Sequence, residues 1–228
     1  MHSSQFLNHL QYEKRCSKHT ITAYTSDLNA FSFFLKETYE EEEPQNANFL
    51  QIRSWIVSLL ENDFDGKSVN RKISCLKSFF SFLFKNNFIQ ENPMGKVISP
   101  KTTKKLPVFI EKANIESLLN TLEFEHDFKG SRACLILEMF YCTGIRLNEL
   151  INIKISDIDF SRGNVKVLGK RNKERIIPLL SHLITLSEDF LSNWHLSPEE
   201  SNFLFTNAKG GKISPRLVYN IVNAYLST

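Results

Sequence analysis

The sequence has no Cys-x-x-Cys pair, no long apolar run and no strong excess of charge of either sign, and each absence removes a class of function. Its four cysteines, Cys16, Cys75, Cys134 and Cys142, sit within apolar helical patterns. That placement reads as reduced, buried thiols of a cytoplasmic protein rather than a disulfide framework. The most apolar stretch, Ala133 to Cys142, is short and interrupted by Glu138, and no basic stretch followed by an apolar run opens the chain. Neither a membrane span nor a signal peptide is therefore expected. His182 and His195 have no ligand or triad partner at a useful spacing in the sequence, so no metal and no other cofactor is expected. The formal net charge of +3 is too small to mark a nucleic-acid binder by itself, which leaves the distribution of charge to decide.

What is present is an ordinary globular composition, 42% hydrophobic and 23% charged over 228 residues, enough for one large domain or two small ones. The N-terminal half carries helical periodicity alone. Ile21, Tyr24, Leu28, Phe31 and Leu35 predict one helix behind a cap at Ser17 or Thr20, ending in the acidic stretch Glu40 to Glu43, which is expected to be a solvated loop. Ile52, Trp55, Ile56 and Leu59 predict a second helix, and Val69, Ile73, Leu76, Phe80 and Leu83 a third. The third leaves Lys67, Arg71, Ser74, Ser78 and Lys85 on its far side, and from Gly66 to Gln90 there is no acidic residue. Such a face is either solvated or a set of phosphate contacts; Lys77 and the lysine-rich segment that follows (Lys101, Lys104, Lys105) favour the second reading. Between Pro93 and Pro107 the periodicity stops, so residues 98–107 are expected to be a linker between domains at 1–97 and 108–228.

The C-terminal half is mixed. Helices are predicted around Ile115 to Leu122, over Ala133 to Cys142 with Gly144 as its stop, and from Arg146 to Leu150. Three short strands follow, Asp157 to Phe160, Asn164 to Leu168 and Glu174 to Leu179, with Lys170 at the tip of the second hairpin. A helix around Leu183 to Trp194, an extended piece at Asn202 to Thr206 and a last helix from Ser214-Pro215 complete the half. The periodicity of that last helix is still running at Thr228, with neither glycine nor proline behind it. A catalytic domain incomplete at its C-terminus is the expectation.

Two segments carry the chemistry: Thr143-Gly144-Ile145-Arg146-Leu147-Asn148-Glu149-Leu150 and Gly169-Lys170-Arg171-Asn172-Lys173-Glu174-Arg175. An arginine just past a glycine turn and a lysine on a hairpin tip are two cations that can be aimed at one phosphate. Read blandly, Arg146 and Glu149 are a surface ion pair one helical turn apart, and Lys170 to Arg175 a solvated turn. The segments Tyr141 to Phe160 and Val167 to Leu179, with Ser68 to Pro93 upstream, resemble the tyrosine recombinase/integrase family, in particular its Xer-like branch.

The resemblance implies a mainly α protein: a helical, SAM-like core-binding domain, then a mixed α+β catalytic domain with a small antiparallel three-stranded sheet, together forming a clamp on duplex DNA. It implies Arg146 as the first catalytic arginine, Lys170 as the hairpin lysine and Glu149 as the acid that supports the site. Lys67, Arg71, Ser74, Lys77, Lys101, Lys104, Lys105, Arg171 and Lys173 would contact DNA. The implied reaction is site-specific recombination through a 3′-phosphotyrosyl intermediate, without metal, by a homotetramer or paired recombinases and away from any membrane. The family's His-x-x-Arg box and nucleophilic tyrosine have no counterpart here; Tyr219 and Tyr225 precede the place where that box belongs, and Tyr225 shares an apolar face. An inactive DNA-binding fragment or regulator, and a topoisomerase-like relaxase, remain alternatives.

Overall fold

The computed structural model describes residues 2–102, 121–169, 173–194 and 202–226. The chain divides into two compact units, Met1–Pro107 and Val108–Thr228.

The first unit is helical. Helix α1 (His2–Asn8) runs into a single π-helical turn (His9–Glu13), followed by α2 (Lys18–Tyr39), α3 (Phe49–Glu61) and α4 (Gly66–Lys85). Each start has a chemical cause. Ser17 Oγ accepts the Thr20 backbone N–H at 3.2 Å, and Asn48 and Gln51 cap each other reciprocally at 3.1 and 2.9 Å, satisfying N–H groups that a helix leaves orphaned. The predicted apolar stripes of α2, α3 and α4 meet in one core, where Leu28, Phe31, Leu35, Ile52, Ile73, Leu76, Phe79, Phe80 and Leu83 are buried. Helix α1 has no counterpart in the sequence reading. With the π-helical turn behind it, it buries two residues in the core, its own Phe6 and the turn's Leu10, two anchors at helical spacing, too few to stand out as a period. The acidic stretch is a loop, as expected, and Glu42 pairs back to Lys36 at 2.8 Å.

Helix α4 departs from the expected division of faces. Lys72 is buried with its ammonium 3.0 Å from Asp27 Oδ1, and Asp27, on α2, is wholly buried. Arg71 binds the other carboxylate oxygen of Asp27. Asp27 lies three residues after Tyr24 and four before Phe31, on the apolar stripe of α2, so it carries Lys72 into the core with it while Arg71 reaches it from the surface. Lys67, Ser74 and Lys77 are exposed, although Ser74 Oγ donates to the Asn70 carbonyl one turn back.

In the second unit Asp127 caps α5 (Phe128–Thr143) by accepting the Gly130 N–H at 2.7 Å, and Gly144 ends it in the left-handed conformation at φ 59°. Next come the one-turn α6 (Leu147–Leu150) and a three-stranded antiparallel sheet in the order β1 (Ile158–Asp159), β2 (Asn164–Leu168), β3 (Glu174–Pro178). Strand β1 is shorter than expected because Asp157 belongs to a 3-10 turn, its carboxylate accepting the Lys154 N–H at 2.9 Å. Helices α7 (Ser181–Trp194) and α8 (Pro215–Leu226) follow. The extended piece after α7 docks by backbone hydrogen bonds from Leu204 to Ile153 and from Ile155 to Asn202. Leu135, Ile136, Met139, Leu150, Val165, Leu183, Leu204 and Val218 are buried together in this unit's core. Of the helix expected around Ile115 to Leu122, residues 115–120 lie outside the described residues.

Candidate active site

The end of α5, helix α6 and the β2–β3 hairpin converge on one carboxylate. Past the Gly144 turn, Ile145 is buried and Arg146 takes the position before the first residue of α6. The Arg146 N–H donates to Glu149 Oε2 at 3.0 Å, and its guanidinium NH1 donates to Oε1 at 3.1 Å. Glu149 is almost fully buried while the Arg146 side chain is 68% exposed. The acid therefore fixes both the backbone and the head of an arginine that still faces solvent.

A second arginine reaches the same carboxylate: Arg175 NH2 donates to Glu149 Oε2 at 2.7 Å. Arg175 pairs across the sheet with Val167, next to the pair Val165 and Ile177. Val165, Val167 and Ile177 are all buried, so Arg175 stands on the core-facing side of the sheet. At the base of the same hairpin, Gly169 donates its N–H to the Lys173 carbonyl at 2.8 Å, and a Cβ at Gly169 would sit 3.4 Å from Glu149 Oε1. The hairpin is thus closed directly against the acid that orients Arg146.

Burial by itself raises the Glu149 carboxyl, but the Arg146 backbone N–H and the two guanidinium groups outweigh it and hold the pKa below the ordinary carboxylate value. Glu149 is an ion buttressing two cations, and it is the charged form that the site stabilises.

Of the residues singled out from sequence, Arg146 and Glu149 are brought together. Lys173 is exposed beside the hairpin base. Lys170, at the predicted tip, and Arg171 lie outside the described residues, as do Lys104 and Lys105. Lys67, Arg71, Ser74 and Lys77 share one exposed face of α4, and Lys101 is also exposed; the Arg71 guanidinium already serves Asp27. Arg175 and Gly169 are the residues that sequence reasoning passed over. The signal was available for Arg175: an arginine in register with the apolar side of an alternating strand requires a buried acid.

His182 has no partner at a useful spacing in the sequence, but the fold gives it two. It lies at the start of α7, with Nε2 3.3 Å from Glu138 Oε2 and 3.6 Å from Cys142 Sγ. Glu138 and Cys142 are one turn apart on α5, and the thiol donates to the same carboxylate oxygen at 3.4 Å. Burial and that bond push the Cys142 thiol up to about 11. The partners are distant in sequence, so spacing could not reveal them. Tyr225 is half-buried with its ring 4.9 Å from that of Phe124, and Tyr219 is exposed under the Arg216 guanidinium. Neither stands in a hydrogen bond with the Arg146 cluster among the described residues.

No described helix is long and apolar enough to cross a membrane. Residues 108–228 match the family described as the phage integrase family, and residues 4–87 match its N-terminal SAM-like domain. Over 221 residues the chain is 37% identical to tyrosine recombinase XerC of Staphylococcus aureus (strain NCTC 8325 / PS 47), covering 96% of this chain and 72% of that protein. The structure of XerH site-specific recombinase bound to palindromic difH substrate has a TM-score of 0.71 at 21% identity, covering 99% of this chain and 67% of that one. A lambda integrase tetramer bound to a Holliday junction gives 0.72 at 15% identity, covering 98% of this chain and 64% of that one. At those identities the two structures speak for the fold alone. The sequence matches and the fold together place this chain in the phage integrase family of tyrosine recombinases, on its Xer-like branch.

Proposed function

We propose that this protein takes part in site-specific recombination of duplex DNA, with Arg146 as a phosphate-binding catalytic cation, Lys170 as the general acid and Glu149 as the group that positions Arg146. The observation that carries this reading is the Glu149 hub: one buried carboxylate holds Arg146 and Arg175 and lies beside Gly169, the residue that precedes Lys170 in the chain. An arginine so fixed, with its head 68% exposed, is pre-organised for the charge that gathers on the non-bridging oxygens of an attacked phosphodiester. Lys170 then delivers a proton to the leaving 5′-oxygen, while a tyrosine oxygen takes its place on phosphorus as a 3′-phosphotyrosyl ester. Attack by the partner strand's 5′-hydroxyl reverses the exchange, so the link conserves the bond and no ATP is needed. Tetramers on paired duplexes suit that exchange. The exposed lysines of α4 and Lys101 supply the phosphate contacts that hold the duplex.

These 228 residues contain no His-x-x-Arg box, and no described tyrosine is placed as a nucleophile. We therefore propose that the chain by itself binds DNA without forming a covalent adduct. Duplexes selected by this chain from a randomised pool, then nicked as suicide substrates, test both statements. The expected result is a retarded complex and no adduct on a denaturing gel. In a chain that also carries the box and the tyrosine, an adduct forms and Arg146→Ala abolishes it while leaving retardation within a fewfold. Failure to select any duplex would remove the DNA reading. An adduct from these 228 residues that is lost in Tyr219→Phe or Tyr225→Phe would show that the nucleophile is already present.

A further inference from the structure

The Glu138–Cys142–His182 cluster belongs neither to the Glu149 hub nor to the exposed lysine face of α4. We propose that it is a binding site for a soft divalent cation of the zinc type, held by Glu138 Oε2, Cys142 Sγ and His182 Nε2 with a fourth position open to solvent.

Carboxylate, thiolate and imidazole groups on a tetrahedral zinc have bond lengths near ~2.0, ~2.3 and ~2.0 Å, which sets their atoms about 3.3 Å apart for oxygen and nitrogen and about 3.5 Å apart for sulfur and either of them. The corresponding separations are 3.3, 3.4 and 3.6 Å. All three ligand atoms face one another within 4.8 Å, so a cation can be taken up without moving a helix. Glu138 and Cys142 are four residues apart on α5 and therefore project from one face. His182 approaches from the start of α7 with its side chain 54% exposed, which leaves an entry path and room for a water ligand. Sulfur and nitrogen donors select zinc-like ions over magnesium or calcium.

Binding balances simply. The Cys142 S–H proton leaves to solvent, and the His182 proton moves to Nδ1, freeing Nε2. Thiolate and carboxylate then neutralise the dication. The link would tie the last turn of α5 to the first turn of α7. Cys142 lies four residues before Arg146, so the tie would steady the segment from which that arginine departs. The proposal rests on the cluster's own geometry and does not depend on the DNA reading.

The test uses the full chain, stripped with a chelator and titrated with cobalt(II) and then zinc. The expected result is one cobalt per chain with a thiolate-to-cobalt charge-transfer band, displaced by one equivalent of zinc, and a zinc-dependent rise in melting temperature of about 5–10 °C at a hundredfold excess over Kd. Cys142→Ser should abolish the band, and His182→Ala should weaken zinc at least tenfold. His182 is exposed, so its replacement leaves the core intact and keeps the test decisive even if Cys142→Ser unfolds. Absence of the band, or a band and affinity unchanged in both variants, would overturn the proposal and reduce the cluster to a hydrogen-bonded triad.

Discussion

Glu149 is the residue through which α6 and the hairpin share one anchor. Its two arginine partners are 68% and 42% exposed, so removing the acid leaves charges that water can solvate rather than buried orphans. Glu149→Gln is accordingly expected to cost about 1.5–3 kcal/mol, the range for hydrogen bonds to charged groups, and less than breaking a fully buried pair. The sign of its pH dependence follows from the depressed carboxyl pKa. The folded state binds that proton more weakly than the unfolded chain. The stabilisation is therefore complete above the ordinary carboxylate value and fades as pH falls through the lower folded value. Thermal melts of the parent and Glu149→Gln from neutral pH into acid should converge. A gap in melting temperature that stays constant to the acid end would show that the Glu149 charge contributes nothing.

At the level of elements, Gly144 sets where α5 stops and where Arg146 begins. Its φ of 59° is in the left-handed region, and a Cβ there would meet nothing within 4 Å. Gly144→Ala therefore tests backbone conformation without a steric clash, and about 1–2 kcal/mol of destabilisation is expected, read from denaturant midpoints at unchanged slope. A neutral result would mean that the turn relaxes to another conformation. This turn was legible in the sequence because helix stops are local: an apolar period, then a glycine. The strands were legible for the same reason, since alternation and turn residues are written within a few positions. Helix α1 was not, because two anchors do not make a period. Long-range charge pairing was also hidden. Asp27 with Lys72, Glu149 with Arg175, and Glu138 with His182 are separated by 45, 26 and 44 residues, and no local pattern selects one acid over another as the partner. What the sequence does show is the frustration each pair resolves, an ion on a face that should be apolar.

For the molecule as a whole, net charge says little: +3 over 228 residues is compatible with most functions, and the affinity for DNA must come from where the cations stand. On α4 they are of two kinds. Lys67 and Lys77 are exposed, whereas Lys72 is buried against Asp27 and Arg71 divides itself between that acid and solvent. Phosphate contacts release counterions, so each one lost should flatten the dependence of log affinity on log salt by about 0.9. Lys67→Ala and Lys77→Ala are expected to do this while leaving the melting temperature within error, because neither side chain carries core packing. Arg71→Ala should flatten the slope by no more than one contact and also lower the melting temperature, since it removes one of the two cations from a wholly buried carboxylate. Measuring slope and melt on the same three variants separates the roles. If Arg71→Ala changes stability alone, its guanidinium is structural and the duplex is held by the lysines. If Lys67→Ala and Lys77→Ala leave the slope untouched, the exposed face of α4 is merely solvated and DNA must be gripped elsewhere.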